Sequence, residues 1–355
     1  MNPQDLCRLF QPDQPLHMLS IPHRRLEQIL TNLARIVKRA AVTYPPSETT
    51  PELADPGHCY YWRRELEVYD SGLLKNVAGI RAPQFHGLDE RPDGAVWLWL
   101  EHVQGSSGAN WPLDRYMLAA RHLGEFSGSW LRGHLPDDAW LSRDWLRGWS
   151  QRMNGPDLWA LVREPEPWRH PLIRAAFSDA WAERYRRCAD ERPLLWDARR
   201  SLSPCVCHFD AYSRNLIGRT GPRGEEETVL VDWAFTGIGA IGEDVGQLAA
   251  ASVVFEDVPA QQAWELFDGC LESYVKGLRA AGWHGGADTV RRGAVVTAAL
   301  RWLPIAGWYV RWALQGARPH FLMSEERLNR SGPLFQFLIE LAECAASLAG
   351  RPETR

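Results

Sequence analysis

"CVCHFDAYSRNLIG", residues 205–218, is the stretch whose reading decides the fold. An apolar run ends at His208, and Asp210 and Asn215 follow five residues apart. A little further on, "TVLVDWAFTGIGAIGEDVGQLAA" (228–250) repeats the arrangement: a second apolar, β-branched run ends in a carboxylate, Asp232. Runs of this kind bounded by turn residues read as short strands. The spacing predicts strands over 204–208 and 228–232, separated by the turn-rich "GRTGPRGEEE" (218–227). If the two strand ends meet, one amide and two carboxylates converge on one place.

Bulk properties narrow the classes. The chain has 355 residues, 45% hydrophobic and 24% charged, which is ordinary globular composition with material for a core. Its net charge of -4 offers no basic stripe for nucleic acid, so no nucleic-acid partner is expected. The seven cysteines show no disulfide rhythm, which points to a reducing compartment. Cys205 and Cys207 have no second pair to complete a metal site and read as buried thiols. The start "MNPQDLCRLFQPDQPLHML" places carboxylates and prolines where a signal peptide needs an apolar run. The apolar "AVVTAALRWLPIAGWYVRWAL" (294–314) carries Arg301, Pro304 and Arg311, and so reads as a buried helix broken at its proline rather than a membrane span. A soluble, cytoplasmic protein without a membrane partner is the expectation.

Along the chain, residues 1–104 read as a small mixed unit and 105–355 as a mostly helical one. "YYWRRELEVYDSGLL" (60–74) has Trp62, Leu66 and Tyr69 at helical spacing, with Gly72 near its end. "AVWLWLEHV" (95–103) follows the turn "RPDG" and reads as a strand, and "QGSSGAN" (104–110) as a linker. "PLDRYMLAARHLGEFSGSWL" (112–131) carries a helical apolar stripe. The Pro- and Trp-rich segment 154–171 reads as irregular cover. Residues 24–41 fit one helix face, or two strands about Thr31–Asn32.

A nucleoside triphosphate needs its charge offset by Mg²⁺, a hard cation that prefers oxygen ligands. A carboxylate and an amide from neighbouring turns supply two such oxygens, and a second carboxylate can take the proton of an acceptor hydroxyl.

"HFDAYSRN" followed by "LVDW" resembles the paired motifs of the aminoglycoside phosphotransferase and choline kinase-like family, small-molecule kinases of the protein-kinase-like fold. "GIGAIGEDVGQLAA" (237–250) and the segment from "WRRELEVYDSGLL" to "GAVWLWLEHVQG" extend the resemblance over roughly residues 60–250. The resemblance implies an α+β, two-lobed protein-kinase-like fold, with residues 1–104 as the nucleotide-binding lobe. Residues 105–355 then form the helical lobe with the catalytic loop and acceptor site. It implies Asp210 as catalytic base, His208 as brace of the catalytic loop and Asp244 as the acid tying that loop down. Asn215 and Asp232 become the magnesium ligands, and Glu65 the partner of a phosphate-binding lysine, for which Lys38 is the candidate. The hinge "LEHV" (100–103) would offer Glu101 and Val103 backbone groups to a purine.

The expected ligands are ATP or GTP with Mg²⁺, and a hydroxylated small molecule as acceptor. A non-catalytic kinase-like binding protein and a kinase acting on peptide Ser or Thr are the rival readings. One departure from the family pattern stands out. The segment "MLSIPHRRLEQ", where a glycine-bearing phosphate loop is expected, has no glycine, and Arg24 and Arg25 are the charges available there.

Overall fold

The computed structural model describes residues 51–350 except 76, 91, 93, 95, 132 and 317–322. The readings made for Arg24, Arg25, Lys38 and the segment 24–41 lie outside the described residues. By contacts, residues 83–104 belong to one compact unit and residues 51–82 with 105–350 to another. The helix bearing Glu65 therefore belongs with the large unit, although it precedes residue 104 in the chain.

Within the large unit, α1 (Arg64–Asp70) and strand β1 (Ile80–Arg81) come first. The small unit contributes an antiparallel pair, β2 (Phe85–Glu90) and β3 (Val96–Leu100). Its "VWLWL" strand buries Val96, Leu98, Trp99 and Leu100, as a run of β-formers should. The chain returns to the large unit at β4 (Ser106–Ser107), inside the stretch expected to be a linker. There follow α2 (Leu113–Trp130), α3 (Trp145–Arg163), α4 (Pro171–Ala176) and α5 (Asp179–Arg200). Four short strands come next: β5 (Pro204–Cys207), β6 (Leu216–Thr220), β7 (Glu226–Leu230) and β8 (Gly237–Ala240). The remaining helices are α6 (Glu243–Val254), α7 (Ala263–Ala280), α8 (Ala287–Trp302), α9 (Pro304–Leu314), α10 (Glu325–Arg330) and α11 (Gly332–Ala349).

The two strands expected from the motif segments exist but do not pair with each other. β5 pairs antiparallel with β8, and β7 lies between β6 and β1 in a sheet of order β1-β7-β6-β4. The expected turn over 218–227 is shorter than read, because β6 and β7 form its two arms. Neither β6 nor β8 announces itself: "LIGRT" and "GIGA" hold few strand formers, and glycine interiors weaken a strand taken alone.

The segment 154–171 is a second correction. α3 reaches Arg163 as two helical stretches that meet at Gly155, whose backbone at φ 60° and ψ 167° is not helical, ahead of Pro156. Pro156 falls in the first turn of the second stretch, where its missing N–H has no intrahelical partner to lose. Here Leu158, Trp159 and Val162 are buried at helical spacing beyond the kink. The proline at 304 behaves as expected, opening α9 directly after α8. α11 is long and apolar enough by composition to cross a membrane. It packs on α5 and α8, and Phe335, Leu338, Leu341 and Ala342 are buried inside the unit.

Two backbone contacts set the helices around the motif strands. α2 and α7 meet where a Cβ on Gly277 would lie 2.0 Å from the Arg121 carbonyl oxygen. α8 meets the turn before α6 where a Cβ on Gly293 would lie 1.8 Å from the Ile241 carbonyl oxygen. Replacing a helical glycine by alanine ordinarily favours the helix by roughly 0.5–1 kcal/mol. At Gly293 the sign should reverse, because the methyl group meets backbone that cannot rotate away. Gly293→Ala is expected to lose about 2 kcal/mol or more of unfolding free energy, read as a lower urea midpoint at unchanged slope.

Candidate active site

The site is assembled from the ends of β5, β6 and β7 and from the first turn of α6. Asn215 precedes β6, and Asp232 lies just past β7. β6 and β7 run antiparallel with Leu216 opposite Leu230, and the Val231 N–H donates to the Asn215 carbonyl at 3.0 Å. The strand ends therefore do meet, through β6 rather than by direct pairing. The Asn215 amide Nδ2 donates to both the Asp210 carbonyl and Asp210 Oδ2, each at 3.0 Å. Asn215 Oδ1 is thereby left pointing away from Asp210. Among the described residues the Asp232 carboxylate takes no hydrogen bond or ion pair, and its backbone is left-handed at φ 64°.

The loop 208–210 is held on both sides. Phe209 is also left-handed, at φ 64°, a conformation costing a non-glycine residue roughly 1–2 kcal/mol. Asp244 accepts from the backbone N–H of His208 through Oδ2 and of Phe209 through Oδ1, both at 2.9 Å. On the other side, Arg301 of α8 donates from Nη1 to the Phe209 carbonyl and from Nη2 to Asp210 Oδ1 at 2.9 Å. His208 is fully buried, accepts at Nδ1 from the Asp210 N–H at 3.2 Å, and meets the Trp233 ring edge-on at 4.7 Å.

Electrostatics follow from this burial. Desolvation pushes the Asp210 carboxyl up from its ordinary value, the Arg301 charge opposes that, and neighbouring Asp232 raises it further. Two carboxylates that repel beside an outward-facing amide oxygen suit a hard cation, which favours oxygen donors. Among the described residues no group of three or more His, Cys, Asp or Glu could hold a metal alone. Asp232 and Asn215 thus fit an ion that shares its coordination with phosphate and water.

The remaining expected residues fall as follows. Glu65 is buried on α1, and its Oε1 accepts from the Trp233 N–H at 3.3 Å, one residue past Asp232. Glu101 and Val103 follow β3 in the small unit, where the Glu101 N–H donates to the Gln84 carbonyl at 2.9 Å and Glu101 Oε2 accepts from the Gln84 N–H at 3.0 Å. Cys205 and Cys207 are buried free thiols.

Two arginines were not singled out from sequence. Arg64, fully buried beside Glu65, donates to the carbonyls of Pro56, His58, Cys59, Trp140 and Ala234. Arg301 was read only as a charge that argued against a membrane span. Its place among the apolar residues 294–303 was the available signal, since a buried charge needs a partner.

Residues 35–284 match the model of the phosphotransferase enzyme family, APH. Among solved structures, an aminoglycoside phosphotransferase from Alicyclobacillus acidocaldarius is similar at 15% identity, covering 83% of this chain and 82% of that one, with a TM-score of 0.47. A choline/ethanolamine kinase family protein from Mesorhizobium loti is similar at 15% identity over 84% and 82% of the two chains, with a TM-score of 0.43. An ethanolamine kinase from Plasmodium vivax is similar at 11% identity over 85% and 73%, with a TM-score of 0.42. The curated proteins contain no match. The family match alone carries the assignment.

Asp244 yields a prediction on stability. Burial pushes its carboxyl up from 3.8 to about 7, against the two backbone N–H groups that favour the charged form. A carboxyl raised in the folded state binds its proton more tightly there than in the unfolded chain. The stability it contributes is complete below about pH 4 and is lost as pH rises through about 7. Asp244→Asn removes that titration and sets an amide NH₂ against a backbone N–H, at a cost of about 2 kcal/mol. Urea unfolding should therefore show the wild type's advantage over the variant shrinking between pH 4 and pH 8. A constant or growing advantage would contradict the assignment.

Proposed function

Because the chain belongs to the phosphotransferase enzyme family, whose members act on a hydroxyl acceptor and whose fold is α+β and protein-kinase-like, we propose a specific reaction for it. The protein transfers the γ-phosphoryl group of ATP or GTP, bound with Mg²⁺, to a hydroxyl of a small molecule, and Asp210 is the catalytic base. What supports this most is one observation: Asp210 is tied by hydrogen bond to Asn215, while Asp232 stands beside them without a partner of its own among the described residues.

In this reading Asp232 and the Asn215 amide oxygen hold the cation, whose chemistry is to offset phosphate charge and orient the transferring group. Asp210 accepts the proton of the acceptor hydroxyl as its oxygen bonds to the γ-phosphorus. The bond from the γ-phosphorus to the bridging oxygen breaks, and the nucleoside diphosphate leaves with those electrons. Asp244 and His208 keep the loop in place, since they contact its backbone rather than the reacting atoms. Glu65 would pair with a phosphate-binding lysine, for which Lys38 is the candidate. Glu101 and Val103 would face the purine. Cytoplasmic placement and the division of labour between residues 1–104 and 105–355 belong to the same proposal.

Two variants separate these roles. Asp232→Asn should abolish Mg²⁺-dependent stabilisation by ATP or GTP, read as loss of the melting shift that ligand binding to the native state produces. Asp210→Asn should keep that shift and lose phosphoryl transfer by roughly 10²–10⁴-fold against a panel of hydroxylated acceptors. The reading fails if the wild type shows neither a melting shift nor heat of binding with saturating nucleotide and Mg²⁺.

A further inference from the structure

Arg301 reaches the loop 208–210 from α8, a helix to which phosphoryl transfer as described above assigns nothing. Its side chain is nearly buried, 9% exposed, and lies against three indoles, Trp145, Trp149 and Trp302, with ring centroids 4.6, 5.3 and 5.2 Å from Cζ. Desolvating a guanidinium is costly unless it is paired, and the faces of aromatic rings offset part of that cost. The same molecule shows what a purely structural solution looks like. Arg64 is fully buried and satisfies itself on five backbone carbonyls, with no carboxylate among them. Arg301 instead divides its donors between one carbonyl, that of Phe209, and one carboxylate, Asp210 Oδ1.

The consequence for Asp210 is geometric. Asn215 occupies one lone pair of Oδ2 and Arg301 one of Oδ1. Donors on both oxygens fix the plane of the carboxylate and leave the remaining lone pairs in set directions. Because Arg301 also holds the Phe209 carbonyl, the side chain of Asp210 and the backbone before it are positioned by one rigid fork. A guanidinium can make both contacts at once, whereas an ammonium is a point charge and cannot reproduce the fork.

We propose that Arg301 is a positioning residue for the phosphoryl-transfer step. It holds the Asp210 carboxylate in the orientation from which its free lone pairs meet the acceptor hydroxyl. This rests on Asp210 being the base, as proposed above, and adds a residue outside both motif segments to the machinery.

The test uses the full chain with MgATP, reading phosphate release with water as acceptor and ADP formation across the hydroxyl panel. Arg301→Gln should lower kcat by about 100-fold, the scale of a misplaced catalytic group, while the Kd for MgATP changes by less than about twofold. Arg301→Lys should recover about a tenth to a third of the lost rate, because charge returns without the fork. Combined with Asp210→Asn, Arg301→Gln should add less than about twofold to the residual loss, since it acts only through that carboxylate.

Unchanged kcat in Arg301→Gln, losses that multiply with Asp210→Asn, or a loss of MgATP affinity matching the loss of kcat would each overturn the assignment. If Arg301→Gln does not fold, Arg301→Lys decides alone: lower kcat at unchanged nucleotide Kd supports the role, and wild-type kcat ends it. A wild type that turns over no acceptor, water included, removes the reaction itself and Arg301's part with it. That outcome is distinct from an active wild type with an indifferent Arg301.

Discussion

Phe209 in the left-handed region is the constraint on which the site depends. A bulky residue holds that conformation only when its surroundings over-determine it. Here the N–H groups of His208 and Phe209 are fixed by Asp244 and the Phe209 carbonyl by Arg301. The turn sets Asp210 beside Asn215, so the position of this carboxylate traces back to two clamps on one peptide segment. Both clamps come from helices later in the chain than the loop they hold. Their placement in turn needs α8 pressed onto the turn before α6, which the missing side chain at Gly293 permits.

Charge follows the same geometry. Asp210, Asp232, Asp244 and Glu65 lie in or beside a small region, and an uncompensated cluster of carboxylates would resist burial. The protein answers each differently: Arg301 faces Asp210, two backbone N–H groups face Asp244, and the Trp233 N–H reaches Glu65. Asp232 alone among these four takes no such partner from the described residues. The asymmetry is in keeping with the role proposed for Asp232 in holding a cation rather than in proton transfer.

What was legible in the sequence was local. The order His208, Asp210, Asn215 and then Asp232 lies within twenty-five residues, and turn chemistry at strand ends is written in short windows. Asp244 could be named through the family resemblance of the glycine-rich turn and helix start in 237–250. The partners of the strands were not legible, since β6 and β8 are too short and too glycine-rich to show periodicity and exist by virtue of their neighbours. The segment 154–171 reads as irregular cover because its Pro-rich composition is a local signal, whereas buried Leu158, Trp159 and Val162 support a second helical stretch beyond Gly155. Arg301 is 91 residues from Asp210, and nothing in its own window says which carboxylate it meets.

The chain holds eighteen Trp, and three of them surround one buried charge. Trp145, Trp149 and Trp302 come from α3 and α8 and converge on one guanidinium, with Trp145 also stacked on Phe209 at 5.3 Å. A buried ion pair is a poor source of stability when its desolvation exceeds its Coulomb gain. Indole faces reduce that deficit without adding a second charge that would compete for Asp210. Smaller apolar residues would leave the cation undersolvated, and another carboxylate would draw the fork away from Oδ1. Aromatic walls keep Arg301 both buried and directed, which gives Trp145, Trp149 and Trp302 an electrostatic role beside their packing.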